Sequence, residues 1–174
     1  MSLSLEDLRQ VCRHAPVSRL EQFIDPLNDA MREFAIDNPL REAAFIAQIA
    51  HESGELRYVR ELASGEAYEW RRDLGNTEEG DGVRYKGRGL IQITGRANYR
   101  ACGDALGVDL VAHPELLEQP VLACRSAGWF WESRGLNELA DNGSFQAITR
   151  KINGGLNGLQ DRLAYWERAK EALA

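Results

Sequence analysis

The sequence lacks any apolar run approaching the roughly 20 residues that a membrane-crossing helix needs, and its first ten residues do not place a basic segment ahead of an apolar one. Stable membrane insertion is therefore not expected, and the chain reads as one made in the cytoplasm without an export signal. Cysteine is scarce: Cys12, Cys102 and Cys124 lie far apart, are odd in number and form no C-x-x-C pair. That pattern indicates neither a zinc site nor a redox motif, and predicts buried free thiols in a reducing compartment. His14, His51 and His113 are scattered, and His51-Glu52 lacks the second histidine one turn later that a zinc-protease helix requires. No metal and no cofactor are expected. Ser53 lies in no G-x-S-x-G elbow, and Gly87-Arg88-Gly89 lacks the later glycine and the preceding strand of a dinucleotide turn. Positive charge is also short, with 21 Lys+Arg against 27 Asp+Glu for a net −6. A field of that sign repels phosphate backbones, so nucleic acid is not an expected partner, although Lys86, Arg88 and Arg96 could form a local basic patch. Repeats, linkers and low-complexity tracts are absent.

What is present is an ordinary globular composition, 44% hydrophobic and 28% charged over 174 residues, enough for one buried core and one domain, 1–174, two-lobed around a cleft. Periodicity and caps predict helices over Leu5 to Cys12 behind Ser4 and Asp7, and from Ser18 with Glu21 as a capping box, restarting at Pro26. The signals continue with Asn38-Pro39 opening a helix to Ser53, Thr94 capping Arg96 to Leu106, a turn at Pro114 to Leu117, and helices over Pro120 to Arg134, Phe145 to Ile152 behind Ser144, and Gln160 to Ala174. Between Glu55 and Arg84 turn formers dominate and only a short helix near Glu66 to Arg71 is expected. Leu90 to Ile93 could be a short extended piece, so the fold class is mainly α with at most a small hairpin. At helical spacing Trp70, Trp129, Trp131 and Trp166 read as core before they read as sugar-stacking rings.

The helix from Pro39 is apolar nearly all round through Ala43, Ala44, Phe45, Ile46, Ala47, Ile49 and Ala50, then ends in His51-Glu52-Ser53-Gly54. An ionisable side chain at the end of a buried helix needs a task or a partner. Glu61 follows nine positions on. Two carboxyl groups facing a sugar bond can divide the work, one protonating the leaving oxygen and the other activating water, at about 6.5 to 9.5 Å apart in the inverting arrangement. On one straight helix nine positions mean about 13.5 Å of rise and opposite faces, so the pair works only if the chain breaks at Ser53-Gly54. Glu52, at the end of the buried helix, is the better acid and Glu61, in a polar segment, the better base; Glu55, Glu66 and Glu69 compete for the second role. Gln92 and Thr94 are placed to orient water or an N-acetyl group. Taken singly, each glutamate is more often a surface or ion-paired residue, and His51 more often a hydrogen-bonded structural one.

Ala43 to Ser53, followed by Tyr85 to Tyr99 and then by Ile152-Asn153-Gly154-Gly155 and Asp161-Arg162, closely resembles the family 19 glycoside hydrolases, the plant-type chitinases and the endolysins of phages and prophages. The resemblance implies a lysozyme-like, mainly helical bilobal fold and inverting hydrolysis of β-1,4 bonds next to N-acetylated sugars without a cofactor. By position it assigns Glu52 as general acid, Glu61 as general base and Thr94 to the water. It places Gln92, Asn98, Tyr99, Asn153 and Arg162 in the substrate groove, with His51 and Tyr85 counted among the same binding residues.

The nine-residue offset between the glutamates is similar to the endolysin branch rather than the plant enzymes, and the plant disulfides have no counterpart here. The expectation is a monomeric peptidoglycan glycan-strand hydrolase without a separate wall-binding module, reaching the periplasm through a holin-type partner. Chitin oligosaccharides are the neighbouring substrate. A non-catalytic glycan-binding or toxin-immunity module would not need the paired carboxylates, and a single-carboxylate lytic transglycosylase would tolerate the loss of Glu61.

Overall fold

The structure is a computed structural model that describes residues 2–174, and it is mainly α. Nine α-helices follow in order among the described residues: α1 (Leu5–Val11), α2 (Val17–Glu33), α3 (Pro39–Ser53), α4 (Asp81–Arg84), α5 (Arg96–Leu106), α6 (Pro120–Ser133), α7 (Leu136–Asp141), α8 (Phe145–Asn153) and α9 (Leu159–Ala172).

Side-chain caps set the starts of α1 and α3. The Ser4 side chain accepts from the Asp7 N–H at 3.1 Å while the Ser4 N–H donates to Asp7 Oδ2 at 2.9 Å, closing a capping box on α1. At α3 the Asn38 side chain accepts from the Arg41 N–H at 3.0 Å, Pro39 occupies the first turn, and Gly54 ends the helix at φ +58. Two expectations fail. The helix predicted to open at Ser18 starts at Val17 behind Pro16, and it runs without a break through Pro26 to Glu33. Proline removes one hydrogen bond there, but Leu20, Phe23, Leu27, Ala30 and Met31 stay buried along one face on both sides of it, and that continuous apolar stripe outweighs the missing bond. Thr94 does not cap α5, because Gly95 intervenes at the N-cap position. Ser144 does stand at the N-cap of α8, without a side-chain capping bond.

α3 is the axis. Every residue from Glu42 to Ala50 is buried, and the helix packs most extensively against α9, while α2 packs on α6. Trp131 joins this core edge-on to Phe45 at 5.2 Å, and Trp166 stacks on Phe145 at 4.5 Å. Trp129 is partly buried against it. Trp70 does not follow: it stands 59% exposed. The three cysteines are free and buried, and burial pushes the Cys12 and Cys102 thiols up to about 12.

The segment between α3 and α5 holds no strand. Instead, Val59–Glu61 runs antiparallel to Gly87–Gly89, with the Glu61 N–H on the Gly87 carbonyl and the Gly89 N–H on the Val59 carbonyl, both at 2.9 Å, and Arg88 pairs with Ile93. The Leu90 to Ile93 piece is thus the turn of this ladder rather than an extended strand. The helix expected over Glu66 to Arg71 is a single 3-10 turn, Glu66–Tyr68. The rest is fastened by side chains. Asp81 Oδ2 accepts from the Thr77 and Glu78 N–H groups at 3.0 Å each, Arg96 grips the same carboxylate at 2.6 and 2.9 Å, and Asn76 joins the Arg96 N–H to the Tyr68 carbonyl.

Candidate active site

Glu52 lies on the last turn of α3, 23% exposed, with Oε1 2.6 Å from Nη2 of Arg162. Arg162 is 1% exposed and comes from the first turns of α9. Its other nitrogens are committed as well: Nη1 donates to Gln48 Oε1 at 2.6 Å and Nε to the Asn157 carbonyl at 3.0 Å. Gln48, one turn before Glu52, donates in turn to Thr149 of α8 at 2.9 Å. The guanidinium is therefore locked in rotamer and height by three helices, so Glu52 meets a pre-positioned cation. His51 makes the parallel link. Its Nδ1 stands 2.7 Å from Asp161, and the ring lies against Gly158, where a Cβ would come within 2.4 Å of Cε1.

After Ser53 the chain breaks as the two-glutamate arrangement demands. Gly54, Glu55 and Leu56 have φ of +58, +58 and +67 in succession, a left-handed run that two of the three residues adopt only at a cost of roughly 1–2 kcal/mol each. Fixed contacts hold it. Ser53 Oγ donates to the Ile49 carbonyl at 2.6 Å and accepts from the Leu56 N–H at 2.9 Å. Glu55, 6% exposed, accepts from the His14 N–H at 2.6 Å and the Tyr165 hydroxyl at 3.0 Å, with His14 Nδ1 also at 3.0 Å. Its carboxylate is consumed by the turn, which removes it as a competitor to Glu61. Glu69 is removed likewise, by the N–H groups of Gly80 and Gly82 at 2.7 Å each, and Glu66 is simply exposed.

Glu61 emerges on the antiparallel pair beside Gly87. The Tyr68 hydroxyl donates to Glu61 Oε2 at 3.0 Å, whereas the buried Oε1 has no protein partner. Burial and then the bond to this carboxylate push the Tyr68 phenol above its ordinary range, so it remains a donor. A Cβ on Gly87 would stand 2.7 Å from Gln92 Oε1 and 2.9 Å from Glu61 Oε2, so the missing side chain is what lets these two groups approach one patch of backbone. Gln92, Thr94 and Asn98 line one small hollow with Trp129, Phe130 and Arg134, and Asn98 donates to the Thr94 carbonyl at 2.7 Å.

Other expected groove residues stand elsewhere. Tyr85, 1% exposed, donates to the Val111 carbonyl at 2.9 Å; Tyr99, 0% exposed, donates to the Lys86 carbonyl and accepts from Arg88 Nη1 at 3.0 Å. Both rings pack on one another at 5.2 Å and lie inside the fold, supporting the Tyr85–Tyr99 segment from behind. Arg162 is likewise buried, with its nitrogens on Glu52, Gln48 and Asn157. Asn153 is exposed and accepts from the Asn157 N–H at 3.2 Å, shaping the α8–α9 loop. The basic patch is not realised, because Arg88 pairs with Glu118 at 3.1 Å and Arg96 with Asp81. Gln48 and Tyr68 carried no expected role; Gln48 had a signal, being with Glu42 one of two polar residues on the buried stretch of α3 and the one a turn before Glu52. Among the described residues no three His, Cys, Asp or Glu side chains form a metal-ligand set.

Comparison with known proteins decides the family. The model for chitinase class I matches residues 37–140, which contain both glutamates and the Tyr85 to Tyr99 motif. The chain belongs to glycosyl hydrolase family 19. A family 19 domain protein of Haemophilus influenzae is 35% identical over 157 residues, spanning 72% of this chain and 76% of its own. An Arabidopsis thaliana endochitinase is 40% identical over 131 residues, but the match spans only 44% of that protein; for endochitinase B of Nicotiana tabacum the span is 51%. Among solved structures, a bacterial family 19 chitinase superposes at a TM-score of 0.82 with 25% identity, covering 99% of this chain and 95% of its own. Chitinase C of Streptomyces griseus gives 0.78 with 26% identity, covering 98% and 76%. The family 19 relationship makes this chain a glycoside hydrolase of the chitinase-like class.

Proposed function

We propose that the protein hydrolyses β-1,4 bonds beside N-acetylated amino sugars in peptidoglycan glycan strands, as an endolysin, with Glu52 as general acid and Glu61 as general base. The observation that carries this reading is the unlike setting of the two carboxyls. Glu52 has one oxygen beside a buried arginine, which stabilises the negative charge that appears as the acid gives up its proton. Glu61 has one oxygen oriented by Tyr68 and the other without a protein donor, the setting of a base that takes a proton from water. Gln92, whose amide shares the Gly87 backbone patch with Glu61, and Thr94, in the same hollow as Gln92, are the groups to hold that water or the acetamido group. No step needs a metal or a redox group.

The free, buried cysteines suit synthesis in a reducing compartment rather than a disulfide-built secreted chitinase, and on that ground peptidoglycan is preferred to chitin. In this setting a monomer acts in the periplasm after release by a separate holin-type protein. The relatives named endochitinases favour the second reading, chitin oligomers. Mass spectrometry of fragments from purified peptidoglycan and from chitin, using wild type, Glu52→Gln and Glu61→Gln, separates these. Hydrated reducing ends from peptidoglycan, lost in both variants, are expected. Release from chitin alone selects the second reading, anhydro ends or indifference to Glu61 point to a transglycosylase, and release from neither polymer points to a binding module.

A further inference from the structure

Three of the six large apolar side chains that stand exposed among the described residues, Leu62, Trp70 and Val83, belong to the 62–83 segment that follows Glu61. Trp70 is the unusual one. Its φ is +60, a conformation that a bulky residue keeps only where its surroundings impose it, and that a glycine would adopt without strain. The neighbours do impose it: the Tyr68 carbonyl accepts from the Arg71 N–H at 3.2 Å and from Asn76 Nδ2 at 2.9 Å, and the Arg71 carbonyl accepts from the Asn76 N–H at 3.1 Å. Packing does not account for tryptophan here. Trp131 and Trp166 each meet another ring, whereas Trp70 has no aromatic or cationic partner among the described residues and leaves most of its surface to solvent.

The surroundings match a sugar. Trp70 lines an open hollow of about 380 Å3 with Arg72, Asn76 and Thr77. Asn76 is buried and committed to the Tyr68 carbonyl and the Arg96 N–H, but Arg72 and Thr77 are exposed. An indole face beside a guanidinium and a hydroxyl offers an apolar plane for the C–H face of a pyranose and donors for its hydroxyl or acetamido groups. Trp70 is two residues from Tyr68, no more than about 7 Å between Cα atoms, and Tyr68 holds Glu61. We propose that Trp70 is a stacking platform for one N-acetylhexosamine ring of the glycan strand on the Glu61 side of the site, a proposal that rests on the glycan-hydrolase reading. Strained backbone is retained because it turns the indole outward.

Trp70→Gly tests this, since it removes ring and strain together. The expected result is a thermal midpoint at or above that of wild type, with KM on whichever polymer wild type cleaves raised about five- to tenfold and most of the kcat/KM loss carried by KM. Trp70→Phe should stay within about twofold of wild type. Unchanged KM in Trp70→Gly overturns the proposal, as does a midpoint many degrees lower, which would make Trp70 a packing residue. If wild type cleaves neither polymer, the functional reading fails; tryptophan fluorescence titrated with chito-oligosaccharides and with peptidoglycan glycan fragments then decides the platform. A spectral change in wild type that is absent in Trp70→Phe upholds it, and identical titrations or none overturn it.

Discussion

Arg162 and Glu52 are 2.6 Å apart, and the arginine is the more deeply buried of the two, at 1% exposure against 23%. Removing the arginine leaves the Gln48 amide oxygen and the Asn157 carbonyl without their donor, at a cost of about 1–3 kcal/mol. Arg162→Ala is expected to lose stability of that order in urea unfolding and to lose activity at least a hundredfold under conditions where it remains folded. Arg162→Lys keeps the charge but cannot reach Gln48, Asn157 and Glu52 together. It should recover part of the stability and less of the rate.

Tyr68→Phe removes the donor to Glu61 Oε2 and nothing else of size. A hydrogen bond to a charged group contributes about 1.5–3 kcal/mol, so kcat should fall roughly tenfold or more while circular dichroism and the melting midpoint stay near wild type. Loss of folding in this variant would show that the tyrosine supports the loop and not the base.

Gly87→Ala should give a folded, poorly active protein. The added Cβ would meet the far ends of Gln92 and Glu61, at 2.7 and 2.9 Å, which can swing away, and the Gln92 Cβ at 3.1 Å, which must give by a few tenths of an ångström. Those ends are the proposed chemistry, so a displacement of under an ångström is expected to cost about a hundredfold in kcat with a melting midpoint within a few degrees of wild type. The ratio of the two effects is the measurement.

The Glu55 turn gives the protein an acid-side limit. Burial raises the Glu55 carboxyl, but the bonds from the His14 side chain, the His14 N–H and the Tyr165 hydroxyl outweigh it and leave it below its usual 4.5. A carboxyl that is lower in the folded chain than in the unfolded one contributes stability above its unfolded value and loses it as the pH falls through its folded value. Wild type should therefore lose stability progressively below about pH 4.5. Glu55→Gln should melt lower at pH 7 and show a shallower decline to pH 3, read from melting midpoints across that range.

Much of this was legible beforehand. The caps of α1 and α3, the break at Gly54 and the irregular 55–84 segment all follow from local chemistry and short spacings. What escaped lies in contacts between distant segments. Pro26 reads as a helix boundary because the missing N–H is local, while the apolar stripe that carries α2 past it is satisfied by packing on α6 and α1. Helix α7, six residues after Gly135, is too short to show a period. Tyr85 and Tyr99 sit in a polar, Gly-rich motif that suggests a groove, yet their hydroxyls end on backbone carbonyls inside the fold. No spacing could show that Glu55 would be taken by His14 and Tyr165 from opposite ends of the chain, nor that Trp70 would face outward.

The placement of Arg162 on α9 also sets an order of events during synthesis. Both glutamates leave the ribosome about a hundred residues ahead of the cation that steadies the first of them, together with Asp161 for His51 and Tyr165 for Glu55. A nascent or truncated chain ending before Asn157 carries every proposed catalytic group and lacks the helix that aligns them. The alignment of Glu52, His51 and Glu55 thus waits on completion of α9.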